Sequence, residues 1–228
     1  MGHGRTFLQG FTLFISSFFL LSSSLAFSAG NDFDTSNTSL MNATIIGAIA
    51  SLGFACYQGK SPCTLAPNVN LDKLTVSIDK GSDNTVQHLR IALGADWQEA
   101  IYESKHFLVD GRWEINSNFW QSTQKNPTNK NGWIIGLTPV FQYLPKDTWA
   151  NGVVNPYFEL GGGPQFLSDS YIENENKSTQ FQFGSILGFG VSNKLFEIGY
   201  RYLHISNANI EIPNPGTDFH NIHVGIKF

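Results

Sequence analysis

The sequence predicts an all-β fold, an eight-stranded antiparallel transmembrane β-barrel, and three observations carry that prediction. Hydrophobicity alternates with period two in successive runs from Lys73 to the C-terminus. The polar face of those runs sets Asp, Arg, Glu and Gln beside glycines, a composition suited to a narrow barrel interior. The chain also opens on a segment built like a secretory signal. Its 228 residues suit one domain, poor in charge at 14% and rich in aromatics at 14%, with 19 Phe. A formal net charge of −4 includes no basic stripe to neutralise phosphates, which argues against nucleic acid as a partner.

In the signal, residues 1–29, Arg5 supplies the positive charge and Phe7–Leu21 the apolar stretch, broken by Gln9, Thr12 and two serines. Ser22–Ala29 is a small-residue zone suited to cleavage, so the mature chain leaves the cytoplasm. Residues 30–72 read as an N-terminal extension of unassigned role, with one short helix through Ala43–Gly53. Its most apolar part, Met41–Cys56, falls short of the roughly 20 residues that a membrane-spanning helix needs. Cys56 and Cys63 are the only cysteines. In an oxidising compartment they can close a small structural disulfide loop, and two thiols without nearby His are too few for a metal. No metal site or cofactor is expected.

The barrel is expected over residues 73–228. Leu74, Val76 and Ile78 alternate with Thr75, Ser77 and Asp79, and Leu89–Trp97 continues the pattern against His88, Arg90 and Asp96. The clearest run is Phe107–Trp120, where Val109, Trp113, Ile115 and Phe119 oppose Asp110, Arg112, Glu114 and Asn118. Runs over Trp133–Tyr143, Val154–Phe166, Phe181–Phe189, Leu195–Ile205 and Asp218–Phe228 make eight. Connectors rich in Gly, Asn, Ser and Pro separate them: Gly81–Asn84, Gln121–Asn131, Pro145–Gly152, Ser168–Ser178 and Ser192–Lys194. In a soluble barrel the apolar face would point inward, leaving Gly and small polar residues crowded outside. A lipid-embedded barrel reverses this, with charged pairs inside and aromatics outside. The terminal Phe228 closes an alternating strand, as is common in bacterial outer-membrane proteins.

The last hairpin brings candidate chemistry together. His204 and Ser206 lie two residues apart on one face of the seventh run, continuing Tyr200 and Tyr202, while Glu197 and Arg201 take the lumenal face. Asp218 opens the eighth run on the same outer face. A base, a hydroxyl and a carboxylate would thus point towards lipid near one membrane boundary. Polar residues there are explained either by the end of the strands or by a nucleophile, base and orienting acid.

The stretch from Gly199-Tyr-Arg-Tyr through His204-Ile-Ser-Asn-Ala-Asn-Ile-Glu-Ile-Pro-Asn-Pro-Gly-Thr-Asp218 resembles the C-terminal motif of the lipid A 3-O-deacylase (PagL) family. The resemblance implies an eight-stranded barrel of the bacterial outer membrane and an ester hydrolase acting on the 3-O-linked acyl chain of lipid A. Its partner is then lipopolysaccharide, no cofactor is needed, and a homodimer is left open. By position, His204 is the base, Ser206 the nucleophile and Asp218 the acid, while Asn207 and Asn214 match asparagines of the motif. Family members carry Glu where this chain has Asp218, which makes Glu211 an alternative acid. Asn209 stands where Gly is usual; its tolerance of left-handed backbone keeps its N–H available for an oxyanion hole with the Asn207 side chain. Tyr200, Tyr202 and Ile222 would line an acyl groove. The rival expectation is a non-enzymatic barrel, an adhesin or structural surface protein that works through its loops.

Overall fold

A computed structural model describes residues 35–64, 66, 68–146 and 153–228. The expected signal, residues 1–29, lies outside the described residues, as does the Pro145–Gly152 connector from residue 147 on. The compact unit that carries the barrel runs from Thr44 to Phe228. Eight long strands build it: β1 (Val69–Asp83), β2 (Val86–Trp97), β3 (Phe107–Ser122), β4 (Asn131–Pro145), β5 (Asn155–Leu167), β6 (Phe181–Ser192), β7 (Phe196–Ser206) and β8 (Thr217–Lys227). Each pairs antiparallel with its sequence neighbour. β1 pairs β8 through Ile78↔Val224, so the eight strands close into the expected barrel. The short strand Tyr102–Glu103 adds to β3, and Tyr171–Ile172 pairs Glu175–Asn176 in a small hairpin between β5 and β6.

Alternation sorts the wall as a lipid-embedded barrel requires. Ile91, Ile115, Trp133, Phe166, Phe189, Ile222 and Ile226 are exposed on the outside. Inside, Asp79, Glu114, Glu159 and Glu197 are buried against Arg90, Arg112 and Arg201. Arg90 bridges Asp79 (2.9 Å) and Glu114 (2.7 Å), while Arg112 bonds Glu114 and forks onto Glu197. Arg201 reaches Asp79, Glu114 and Glu159, and His223 joins Asp79 to Glu197. Buried charge at such density is tolerable only because each carboxylate has cationic partners. The lumenal glycines make room for these long side chains: a Cβ at Gly188 would lie 2.6 Å from Glu159 Oε1. Above this layer the lumen turns apolar, with Val86, Trp120, Ile134, Leu167, Leu203 and Phe219 in one buried cluster.

Two features depart from expectation. The helix foreseen over Ala43–Gly53 is far longer, α1 at Thr35–Tyr57, and its Thr38–Tyr57 portion is long and apolar enough to cross a membrane. The Met41–Cys56 reading fell short because the helix continues through the uncharged Thr38–Leu40 and Tyr57 at its two ends. Second, part of the outer wall is covered. Trp97, Val109 and Phe141 are buried in a cluster with Ala55 of α1. Cys56, in the last turn of α1, and Cys63, just beyond it, form the expected disulfide, with Cα atoms 5.1 Å apart.

Candidate active site

Strand register assembles the site. In the β7–β8 pair, His204 stands opposite Asp218, Tyr202 opposite His220 and Tyr200 opposite Ile222. His220 and Ile222 are exposed, so by alternation His204, Ser206 and Asp218 belong to the outer side of the wall. The imidazole then links the other two groups. His204 Nδ1 is 2.6 Å from Asp218 Oδ1, and Nε2 is 3.0 Å from Ser206 Oγ. A proton on Nδ1 donated to the carboxylate leaves the Nε2 lone pair free to accept from the serine hydroxyl. The alternative acid is elsewhere: Glu211 is exposed, and it is its main-chain oxygen that accepts, from Asn207 Nδ2 at 2.9 Å. The one-methylene-shorter acid reaches because it lies directly across the ladder from His204 rather than out on the loop.

Three residues hold this arrangement in roles that sequence reasoning did not give them. Tyr202 Oη donates to Asp218 Oδ1 at 2.6 Å, the same oxygen that meets His204. Tyr202 is fully buried, so it belongs to the support of the acid rather than to an open acyl groove; its spacing of two residues from His204 on the same face was the available signal. The Asp218 N–H donates to Asp83 Oδ2 at 2.9 Å, anchoring the start of β8 on the end of β1. Lys177, from the β5–β6 connector, donates to the carbonyls of Pro215 (3.0 Å) and Gly216 (3.1 Å) and pairs with Glu175. Burial lowers the Lys177 pKa, with the Glu175 carboxylate acting in the opposite sense. No spacing in the sequence connects Lys177 to the motif.

These contacts draw the 207–216 loop against the site. Gly216 packs on the imidazole, and His204 and Ser206 are buried, so the outer wall here is not bare as the alternation alone suggests. Asn207 is turned away from the expected role: its Nδ2 donates to the Lys177 carbonyl (3.1 Å) as well as to Glu211. The side-chain donors expected to stabilise an oxyanion are thus engaged in holding the loop. Its main-chain N–H donates to Asn214 Oδ1 at 2.8 Å, and Asn214 Nδ2 in turn bonds Asn209 Oδ1. Asn209 does take the left-handed conformation, with φ +62° following Ala208 at +55°. Tyr200 Oη and His220 Nδ1 lie 2.6 Å apart, beside the exposed Ile222. Among the described residues no cluster of His, Cys, Asp and Glu could hold a metal ion.

The sequence profile of a family described as lipid A 3-O-deacylase (PagL) matches residues 87–227, more than half of the chain. The chain is 22% identical over 134 residues to the lipid A deacylase PagL of Pseudomonas aeruginosa, covering 58% of this chain and 73% of that protein. It is 31% identical over 106 residues to the lipid A deacylase PagL of Bordetella bronchiseptica, covering 45% of this chain and 53% of that one. A crystal structure of the outer membrane enzyme PagL superposes with a TM-score of 0.58 at 19% identity, over 68% of this chain and 98% of the other. That likeness is one of fold.

Proposed function

Because the chain belongs to the lipid A 3-O-deacylase (PagL) family, we propose that it hydrolyses the 3-O-linked acyl ester of lipid A in the bacterial outer membrane, with Ser206 as nucleophile, His204 as general base and Asp218 as the orienting acid. The observation that carries this reading is the continuous relay from Asp218 Oδ1 through both imidazole nitrogens to Ser206 Oγ. Ser206 Oγ attacks the ester carbonyl as its proton passes to His204 Nε2. Asp218 stabilises the imidazolium that forms and fixes its tautomer, and Tyr202 holds the carboxylate in place. His204 then protonates the departing sugar oxygen. A water gives its proton to the same nitrogen and attacks the acyl-serine; the imidazolium then returns that proton to Ser206 Oγ as the acyl–oxygen bond breaks, which releases the fatty acid and restores both residues.

Negative charge that gathers on the carbonyl oxygen needs donors already in place. Removing one such donor typically costs about 2.7–4 kcal/mol in the barrier. The Asn209 N–H, on its left-handed turn just past the nucleophile, is our candidate, with Asn207 bracing the loop. The position of the site on the outer side of the wall supports a substrate whose acyl chains stay in the bilayer, and the exposed Ile222 beside Tyr200 gives those chains an apolar approach.

Mass spectrometry of lipid A from outer membranes containing the protein tests the proposal. Wild type should remove one ester-linked acyl chain. Ser206→Ala and His204→Ala should abolish that loss while the barrel keeps its heat-modifiable electrophoretic mobility. Unchanged deacylation in both variants would sink the residue assignment. No loss with wild type would favour the non-enzymatic barrel.

A further inference from the structure

Helix α1 precedes the region matched by the family profile and takes no part in the relay. It contains no charged residue over its 23 positions. One face of its barrel-unit portion is small and buried: Thr44, Ala48, Ser51 and Ala55, with Gly47 beside them. Their spacing of three and four puts them on one side of a helix. That face meets the outer wall of β4 and β5. A Cβ on Gly47 would lie 2.7 Å from Leu160 Cδ2, and Ala48 Cβ comes within 3.1 Å of the Cβ position of Gly162. Ser51 Oγ is 2.6 Å from Tyr143 Oη and donates to the Gly47 carbonyl.

The opposite face should be polar if water covered it. Instead it carries Ile49, 65% exposed, and Leu52, 39% exposed. The wall that α1 lies on is the apolar outer band itself, since Leu160 and Gly162 share a strand face with the exposed Phe158 and Phe166. A helix seated there has bilayer on its free side. The wall beneath also has a weakness. The β4–β5 ladder runs from Gly136↔Gln165 to Val140↔Gly161 without paired residues between, a stretch that contains Pro139 and Pro164. Proline cannot donate to a ladder, and unpaired peptide groups facing hydrocarbon cost several kcal/mol each. Gly47 and Ala48 dock at Leu160 and Gly162, beside that gap.

We infer that the Thr44–Tyr57 portion of α1 is embedded in the membrane, with Ile49 and Leu52 against lipid acyl chains and its small-residue face sealing the β4–β5 seam. The test is photocrosslinking of the full chain reconstituted in phosphatidylcholine vesicles, with benzoylphenylalanine placed singly at Ile49 or Leu52. Ile115 serves as the lipid-facing control and Glu103 as the aqueous one; folding is checked by heat-modifiable mobility, and the second position guards against misfolding of the first. Lipid adducts at a yield matching Ile115 are expected. Crosslinks into a second copy of the chain, or lipid adducts no more frequent than at Glu103, would overturn the inference. Gly47→Leu, which drives a side chain into Leu160, should lower the temperature at which the folded barrel is lost, and an unchanged midpoint would refute the seal. Neither readout depends on deacylase activity.

Discussion

Gly216→Ala should silence the site without replacing any group in the relay. A Cβ at that position would fall 2.6 Å from His204 Cε1, whereas carbon atoms settle at roughly 3.5–4.0 Å. Something must therefore give by about 1 Å. The loop is held by the Lys177 bonds to the carbonyls of Pro215 and Gly216 and by the bond from Ser178 Oγ to the Pro213 carbonyl, so the displacement falls largely on the imidazole. A misplacement of about 1 Å at a reacting group can cost ~100-fold in rate, equivalent to ~2.7 kcal/mol of barrier. The assay is the time course of acyl loss from lipid A, followed by mass spectrometry, with Gly53→Ala as control because a Cβ there meets nothing within 4 Å. A rate equal to wild type in a folded Gly216→Ala barrel would refute the contact argument. Loss of the folded form would refute the claim that the damage is local.

The acid can be identified by comparison. Asp218→Ala should slow deacylation, yet leave roughly two orders of magnitude more activity than Ser206→Ala, as when the acid rather than the nucleophile of a triad is removed; Glu211→Gln should leave the rate unchanged, and the reverse ranking would exchange their roles. In the lumen, Arg201→Met would leave Asp79, Glu114 and Glu159 short of a partner. Breaking a buried ion network from one side costs about 3–5 kcal/mol, so the urea midpoint of the barrel should fall; a wild-type midpoint would show that Arg90 and Arg112 suffice.

What the sequence made legible follows from which forces have a short period. Period two is imposed locally by the pleat, so Phe107–Trp120 declared both its strand and its faces, and the charged lumen followed from Arg112 and Glu114 lying on the polar side. His204 and Ser206 were legible as an i, i+2 pair. Their link to Asp218 needed hairpin register across the eleven-residue 206–216 interval, and only the ladder shows Asp218 opposite His204 while Glu211 stays out on the loop. Other features had no local period to betray them. Helix α1 is apolar or small on every side, which erases amphipathic alternation, and the burial of Phe141 depends on that helix returning to a strand nearly ninety residues away. Lys177 reaches the motif from another connector, and the turn of the Asn207 amide towards the Lys177 carbonyl depends on that same distant segment.

The interior of the barrel also decides where molecules can travel. With Arg90, Arg112 and Arg201 locked among four carboxylates and an apolar layer of Trp120, Leu203 and Phe219 above them, the strands enclose a filled rod rather than a conduit. Abundant protein in an outer membrane should leave its permeability to small solutes and antibiotics unchanged. Under the proposed function, traffic to and from Ser206 would then run sideways: the substrate would diffuse in the plane of the membrane, and the released fatty acid would depart into that same plane without ever crossing the protein.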